Sequence, residues 1–83
     1  MHNYPVNGFY RVGPLGIPGV EESTKGEVCE ILDHIELIEN WDEPDVLIPG
    51  YNVLMLSGPD EGMEFYVEEE ELVEMEEVKT FGT

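Results

Sequence analysis

The chain has 83 residues, of which 20 are acidic and three are basic (Arg11, Lys25 and Lys79), giving a formal charge of −17, and 41% are hydrophobic. This length allows one small domain without a second core, and the hydrophobic content is too high for a disordered acidic chain. No apolar run nears the ~18–20 residues that cross a bilayer, no secretory leader pattern opens the chain, and the lone Cys29 forms no internal disulfide, so a folded cytoplasmic domain is expected.

Residues 1–20 carry no acid, and all 20 acids lie between Glu21 and Glu77. One domain over 1–83 is expected, with a neutral Gly- and Pro-rich segment (1–20), an acidic barrel body (21–77) and a tail (78–83). Phe9-Tyr10-Arg11-Val12 has the aromatic and β-branched content of a short strand. The Gly- and Pro-rich run from Gly13 to Val20 reads as a loop. Glycines at 13, 16 and 19 imitate a collagen triplet over too short a stretch to form one.

Segment 27–39 supports two readings. Val28, Ile31, Leu32, Ile35 and Ile38 fall at helical spacing. Thr24 and Glu27 would then form a capping box, with Gly26 costing about 1 kcal/mol in the first turn. Cys29, Ile31, Ile35 and Leu37 fit a period of two equally well, with Asp33 as the break. The strand is preferred because the rest of the chain reads as β; the alternative is an α+β fold with a helix at 27–39.

Trp41 to Asp45 reads as a turn, and Val46-Leu47-Ile48 as a short strand ended by Pro49-Gly50. Tyr51 to Leu56 is an apolar run bounded by Gly and Pro, hence a buried strand. The Ser57–Gly62 stretch turns the chain into Met63–Val67, where Met63, Phe65 and Val67 share a face. Glu68 to Glu71 before Leu72 predicts one helical turn, and Val73, Met75 and Val78 supply a last strand.

This order resembles an SH3-like small barrel of about five strands, of the kind seen in Tudor- and KOW-type modules. The resemblance rests on Gly26-Glu27-Val28-Cys29-Glu30-Ile31, on Tyr51 through Pro59, and on Val67 through Leu72 to Met75. It covers about two thirds of the chain. It implies a mainly β fold and no particular activity.

Chemistry-bearing motifs are scarce. Cys29 has apolar neighbours and reads as a small buried hydrophobe. A catalytic thiol needs an activating base and an electropositive setting. His34 is the one internal histidine, and Ser23, Thr24 and Ser57 sit in turn or cap contexts. Two histidines and one cysteine do not make a four-ligand zinc site by themselves. Asp42-Glu43-Pro44-Asp45 and Asp60-Glu61-Gly62 could hold a cation loosely, but neither has EF-hand spacing. No P-loop, dinucleotide fingerprint or HExxH motif occurs. The expectation is a protein that is not an enzyme, with no cofactor and no metal.

The charge selects the partner class. A field of −17 repels nucleic acid and anionic membranes and attracts basic proteins. The net charge is similar in number to the phosphates, on the order of fifteen, that duplex DNA presents along a domain of about 25–30 Å. Glu64, Glu68, Glu69, Glu70, Glu71, Glu74, Glu76 and Glu77 form the candidate partner-binding surface, with Asp42, Glu43 and Asp45 as a second patch. Each would stand in for a phosphate before the Lys and Arg of a DNA-binding protein.

In size, charge and β-rich pattern the chain resembles the DNA-mimic inhibitors that bacteriophages make against host DNA-binding proteins. That resemblance implies a host-cytoplasmic inhibitor acting on a nucleoid-associated protein, polymerase, nuclease, or restriction or repair enzyme. Halophilic adaptation, which uses acid-rich surfaces too, is an alternative source of the charge. It also suits an adaptor module that holds a basic peptide in an aromatic cage drawn from Tyr10, Trp41, Tyr51, Phe65 and Tyr66. The acid-free start, with Phe9, Tyr10, Leu15, Ile17 and Val20, either covers the core or pairs two subunits in a homodimer.

Overall fold

The computed structural model of the chain describes residues 2–75. Its strands are β1 (Phe9–Val12), β2 (Val28–Ile38), β3 (Leu47–Met55), β4 (Glu64–Glu68) and β5 (Leu72–Glu74). They form one antiparallel sheet in the order β4-β3-β2-β1-β5. A four-residue helix, α1 (Glu21–Thr24), and a 3₁₀ turn, Glu69–Glu71, are the helical pieces among the described residues. The fold is therefore mainly β and barrel-like, with a short helical turn where residues 68–72 predict one. Val78 and the tail 78–83 lie outside the described residues.

The alternative helix at 27–39 is a strand, and the reason for the ambiguous periodicity is a bulge. The β2–β3 register runs Glu30↔Leu54, Ile31↔Val53, then Asp33↔Asn52, so Leu32 is the extra residue. Opposed residues in an antiparallel pair share a face, and one added residue exchanges the faces beyond it. Cys29 and Ile31 point into the core with Met55 and Val53. Past the bulge it is His34 that stands beside Tyr51, while Asp33 joins Asn52 on the other face. The apolar set Cys29, Ile31, Ile35 and Leu37 is thereby split, with the first two on the core face and the last two on the face of Asp33.

Two local expectations are corrected. Pro49-Gly50 does not end a strand, since β3 runs through both. Gly50 is the last β3 residue opposed by β4, so Pro49 is paired only with Glu36 of β2. That is a position where a missing donor is tolerated. Thr24 is not the cap of a helix at 27–39, because it closes α1 instead. Its hydroxyl donates to the carbonyl of Val20 (2.7 Å) and accepts from the amide of Ile17 (3.0 Å). Thr24 itself is fully buried, and the two bonds fix the loop between β1 and α1. Finally, the acid-free start divides: Ile17 is buried and Val20 packs on the core, whereas Phe9 and Leu15 are exposed.

The core is one cluster of Val12, Ile17, Cys29, Ile31, Tyr51, Val53, Met55, Val67 and Leu72. It takes residues from all five strands and from the Gly/Pro loop. Beyond Ile35 and Gly50 the two central strands pair only with each other, because β1 and β4 stop short of them. The result is a two-stranded arm, and the molecule measures 51 × 26 × 20 Å.

Candidate functional site

The acids expected to bind a partner fall on three successive pieces of chain. Glu64 and Glu68 are on β4, Glu69, Glu70 and Glu71 make up the 3₁₀ turn, and Glu74 is on β5 opposite Tyr10. On β4, Phe65 and Val67 turn toward the core while Glu64 and Tyr66 are exposed. Alternate residues of a strand are about 6.8 Å apart on one face, which sets the spacing of Glu64, Tyr66 and Glu68. Glu76 and Glu77 lie outside the described residues.

A local hydrogen-bond exchange fixes the 3₁₀ turn. The amide of Glu68 donates to Oε1 of Glu71 (3.0 Å), and the amide of Glu71 donates back to the Glu68 carboxylate. This capping box satisfies two backbone donors in a segment of four like charges. The crowding leaves a mark on Glu68. Its carboxyl is pushed above the ordinary value first by burial and then by the charges of Glu71, Glu70 and Glu39.

Glu69 is held differently. Its Oε1 accepts from the Tyr51 hydroxyl (2.5 Å) and from the amide of Asn3 (3.1 Å), and its Oε2 accepts from the Asn3 side-chain amide (2.6 Å). The Tyr51 hydroxyl also accepts from the amides of Asn3 and Tyr4, each at 3.1 Å. His2 and His34 stack with ring centroids 4.4 Å apart, both set edge-on to the Tyr51 ring. Their Nε2 atoms lie 2.7 Å from the carbonyls of Ile35 and Tyr4 respectively. Glu69 thus anchors the N-terminal segment, and the Tyr51 bond holds its carboxyl below the ordinary value. Neither periodicity nor any motif assigns a role to residues 2–8. Their signal is the unusual density of His2, Asn3 and Tyr4, whose partners are 30–66 residues away.

Asp42, Glu43 and Asp45 are not brought to this surface. They lie in the loop at the far end of the arm, which Asn40 organises by accepting from the amides of Asp42 (Oδ1, 2.9 Å) and Glu43 (carbonyl, 2.9 Å). Trp41 is in the same loop and 78% exposed, so it belongs to the surface and not to the core. Glu39, at the base of that loop, links the patches electrostatically through its effect on Glu68.

Basic residues do little to offset these charges. Among the described residues the one ion pair is Lys25 with Glu22 (3.1 Å), and Arg11 donates to the carbonyl of Gly26 (2.7 Å). A shallow hollow of ≈ 380 Å³ opens beside the acidic turn, lined by Tyr4, Ile48, Pro49, Leu72 and Glu68 to Glu70.

The aromatics of the cage hypothesis divide, because Tyr10 and Tyr51 both stack on Tyr4 while Trp41 and Tyr66 are exposed elsewhere. Tyr51 is buried, Trp41 is at the arm's tip, Tyr66 is exposed on β4, and Tyr10 stacks on Tyr4 (4.2 Å). Phe65 packs against the core. Cys29 is fully buried, and burial pushes its thiol up to about 11, away from nucleophilic behaviour. No group of three or more His, Cys, Asp or Glu side chains among the described residues is placed to hold a metal ion. No described helix is long and apolar enough to cross a membrane. Comparisons with protein families, with curated proteins and with solved structures find no match to this chain.

Proposed function

We propose that this protein is a DNA mimic that inhibits a basic DNA-binding protein by occupying its phosphate-binding surface. The observation that carries the reading is the run of acids along the consecutive elements β4, 3₁₀ turn and β5, where the charges of Glu71 and Glu70 act on Glu68. Glu64, Glu68, Glu70, Glu71 and Glu74 follow one another along it, and none of them is in an ion pair among the described residues. The strand spacing of about 6.8 Å is roughly twice the axial rise per phosphate of one DNA strand. Glu69 supports the path from beneath through its bonds to Tyr51 and Asn3. Asp42, Glu43 and Asp45 extend the field along the arm. The target would be a nucleoid-associated protein, a polymerase, a nuclease, or a restriction or repair enzyme. An aromatic-cage adaptor draws no support from the separated positions of Trp41, Tyr51 and Tyr66.

The test is capture from a host lysate at low salt, followed by competition with duplex DNA. The expected result is recovery of a DNA-binding protein that DNA displaces. Recovery of partners indifferent to DNA would remove the proposal.

A further inference from the structure

A second concavity lies beside the acidic turn, between the loop after β1 and the start of β5, and has a volume of ≈ 410 Å³. Its walls are apolar: Pro14, Leu15 and Pro18 on one side, Val73 on the other. Three acidic residues, Glu21, Glu70 and Glu71, stand around it, and no basic residue among the described ones lines it.

The cleft is preformed. The amide of Gly13 donates to the carbonyl of Glu71 (2.9 Å), tying the loop to the 3₁₀ turn, and the amide of Gly16 donates to the carbonyl of Gly13 (3.1 Å). Gly16 has φ +79°, and a Cβ there would fall 2.5 Å from the carbonyl oxygen of Glu21. The next residue, Ile17, is buried and bound to Thr24. Leu15 is 84% exposed between these fixed points. With Pro14, Pro18 and Val73 it gives the cleft apolar walls ringed by a few polar groups, the make-up of a binding site.

The charges choose the occupant. A second copy would bring another −17 to the same rim, which like-charge repulsion opposes. A purely apolar ligand would bring no cation to the three glutamates on the rim, of which Glu21 also accepts from the Gly19 amide and Glu71 also caps the 3₁₀ turn. We infer that this cleft binds an extended segment of a basic protein in which one or two apolar residues are flanked by arginine or lysine. The apolar side chains lie between Leu15 and Val73, and the flanking cations meet Glu21 on one side and Glu70 and Glu71 on the other. The inference rests on the proposed function for the partner's basic character, and it adds a site that reads sequence as well as charge.

The experiment is an amide-resolved NMR titration of the full chain with three capped hexapeptides. The first has adjacent isoleucine and leucine flanked by arginines, the second replaces the apolar pair with serines, and the third replaces the arginines with serines. The expected result is saturable shifts at Gly13, Leu15, Gly16 and Val73 with the first peptide, bound at least tenfold more tightly than either control. Leu15→Ser and Glu70→Arg, both at exposed positions, should each weaken it at least fivefold. Equal affinity for the first two peptides, with shifts spread over β4 and the arm, would overturn the cleft while leaving the DNA-mimic reading standing. Absence of shifts with all three peptides would overturn it as well. So would light scattering that shows dimerisation filling the cleft in the free protein. Failure of the DNA-mimic reading has a separate signature, the loss of DNA competition.

Discussion

At the scale of the residue, Tyr51 is where the fold's polar and apolar parts meet. Its ring is buried, yet its hydroxyl donates to Glu69 and accepts from two backbone amides. Hydrogen bonds to charged groups contribute about 1.5–3 kcal/mol each, so Tyr51→Phe should lower stability by about that amount in urea unfolding. Burial first, and then Glu69, push the Tyr51 hydroxyl up to about 12 from the ordinary 10. A raised folded value stabilises fully below the unfolded value and is lost as pH rises through the folded one. Unfolding midpoints of the parent should therefore fall between pH 10 and 12, and the Tyr51→Phe variant should lack that component. Glu69 has the opposite sign. Its carboxyl is lowered, so its contribution is present above the ordinary carboxylate range and lost as pH falls through the folded value. Thr24 offers a cleaner case. Thr24→Val keeps the shape and removes both hydroxyl bonds, leaving the Ile17 amide and the Val20 carbonyl without that partner. A loss of about 1–3 kcal/mol is expected, with Thr24→Ser close to the parent in the same denaturant titration.

Elements are legible in the sequence where one physical signal dominates. The apolar alternation of Met63 to Val67 and the acids before Leu72 translate directly into β4 and the 3₁₀ turn. Segment 27–39 is ambiguous because a bulge superimposes two phases of one period, and only the pairing partner fixes where the phase changes. The strand through Pro49 is hidden for a related reason. Proline reads as a terminator, but here the neighbouring strand ends before it. Helix α1 carries four residues and no apolar stripe, so nothing in its sequence announces it. The arm, in turn, makes a prediction of its own. Trp41 is the single tryptophan and lies at the exposed tip. Acrylamide should quench its fluorescence nearly as well as that of free tryptophan. Trp41→Ala should shift stability by no more than about 0.5 kcal/mol, and docking of a partner over the arm should move the emission to shorter wavelength.

Over the whole molecule, the same charges act on folding and on binding with opposite sign. Eighteen of the 20 acids lie within the described residues, the other two being Glu76 and Glu77. Their mutual repulsion opposes compaction, and salt screens it with a Debye length of about 10 Å at 0.1 M. Raising salt should therefore increase Tm while weakening partner binding, two trends readable on one sample by thermal scans and by titration. Exposed pairs are worth ~0–1 kcal/mol each. Single reversals such as Glu64→Lys should then lower affinity less than about tenfold, and reversal of Glu64, Glu70 and Glu74 together should abolish binding with the fold intact by circular dichroism. The acidic surface is legible because charge is counted straight from sequence. The division of labour inside it is not, because whether Glu69 faces water or Tyr51 depends on a contact 18 residues away.

That contact also bears on the order of events when the chain is made. Asn3 meets Glu69 across 66 residues, and β1 pairs with β5. Neither closure is available until Glu69 and then Leu72 to Glu74 have left the ribosome, which at ~5–20 residues per second takes several seconds. Until then β2 is the one strand among the described residues that Phe9 to Val12 can pair with, and the Tyr51 hydroxyl has no carboxylate to bind. High contact order of this kind slows folding. The repulsion among nascent chains, each carrying most of its acids before it can close, would keep them apart during that interval.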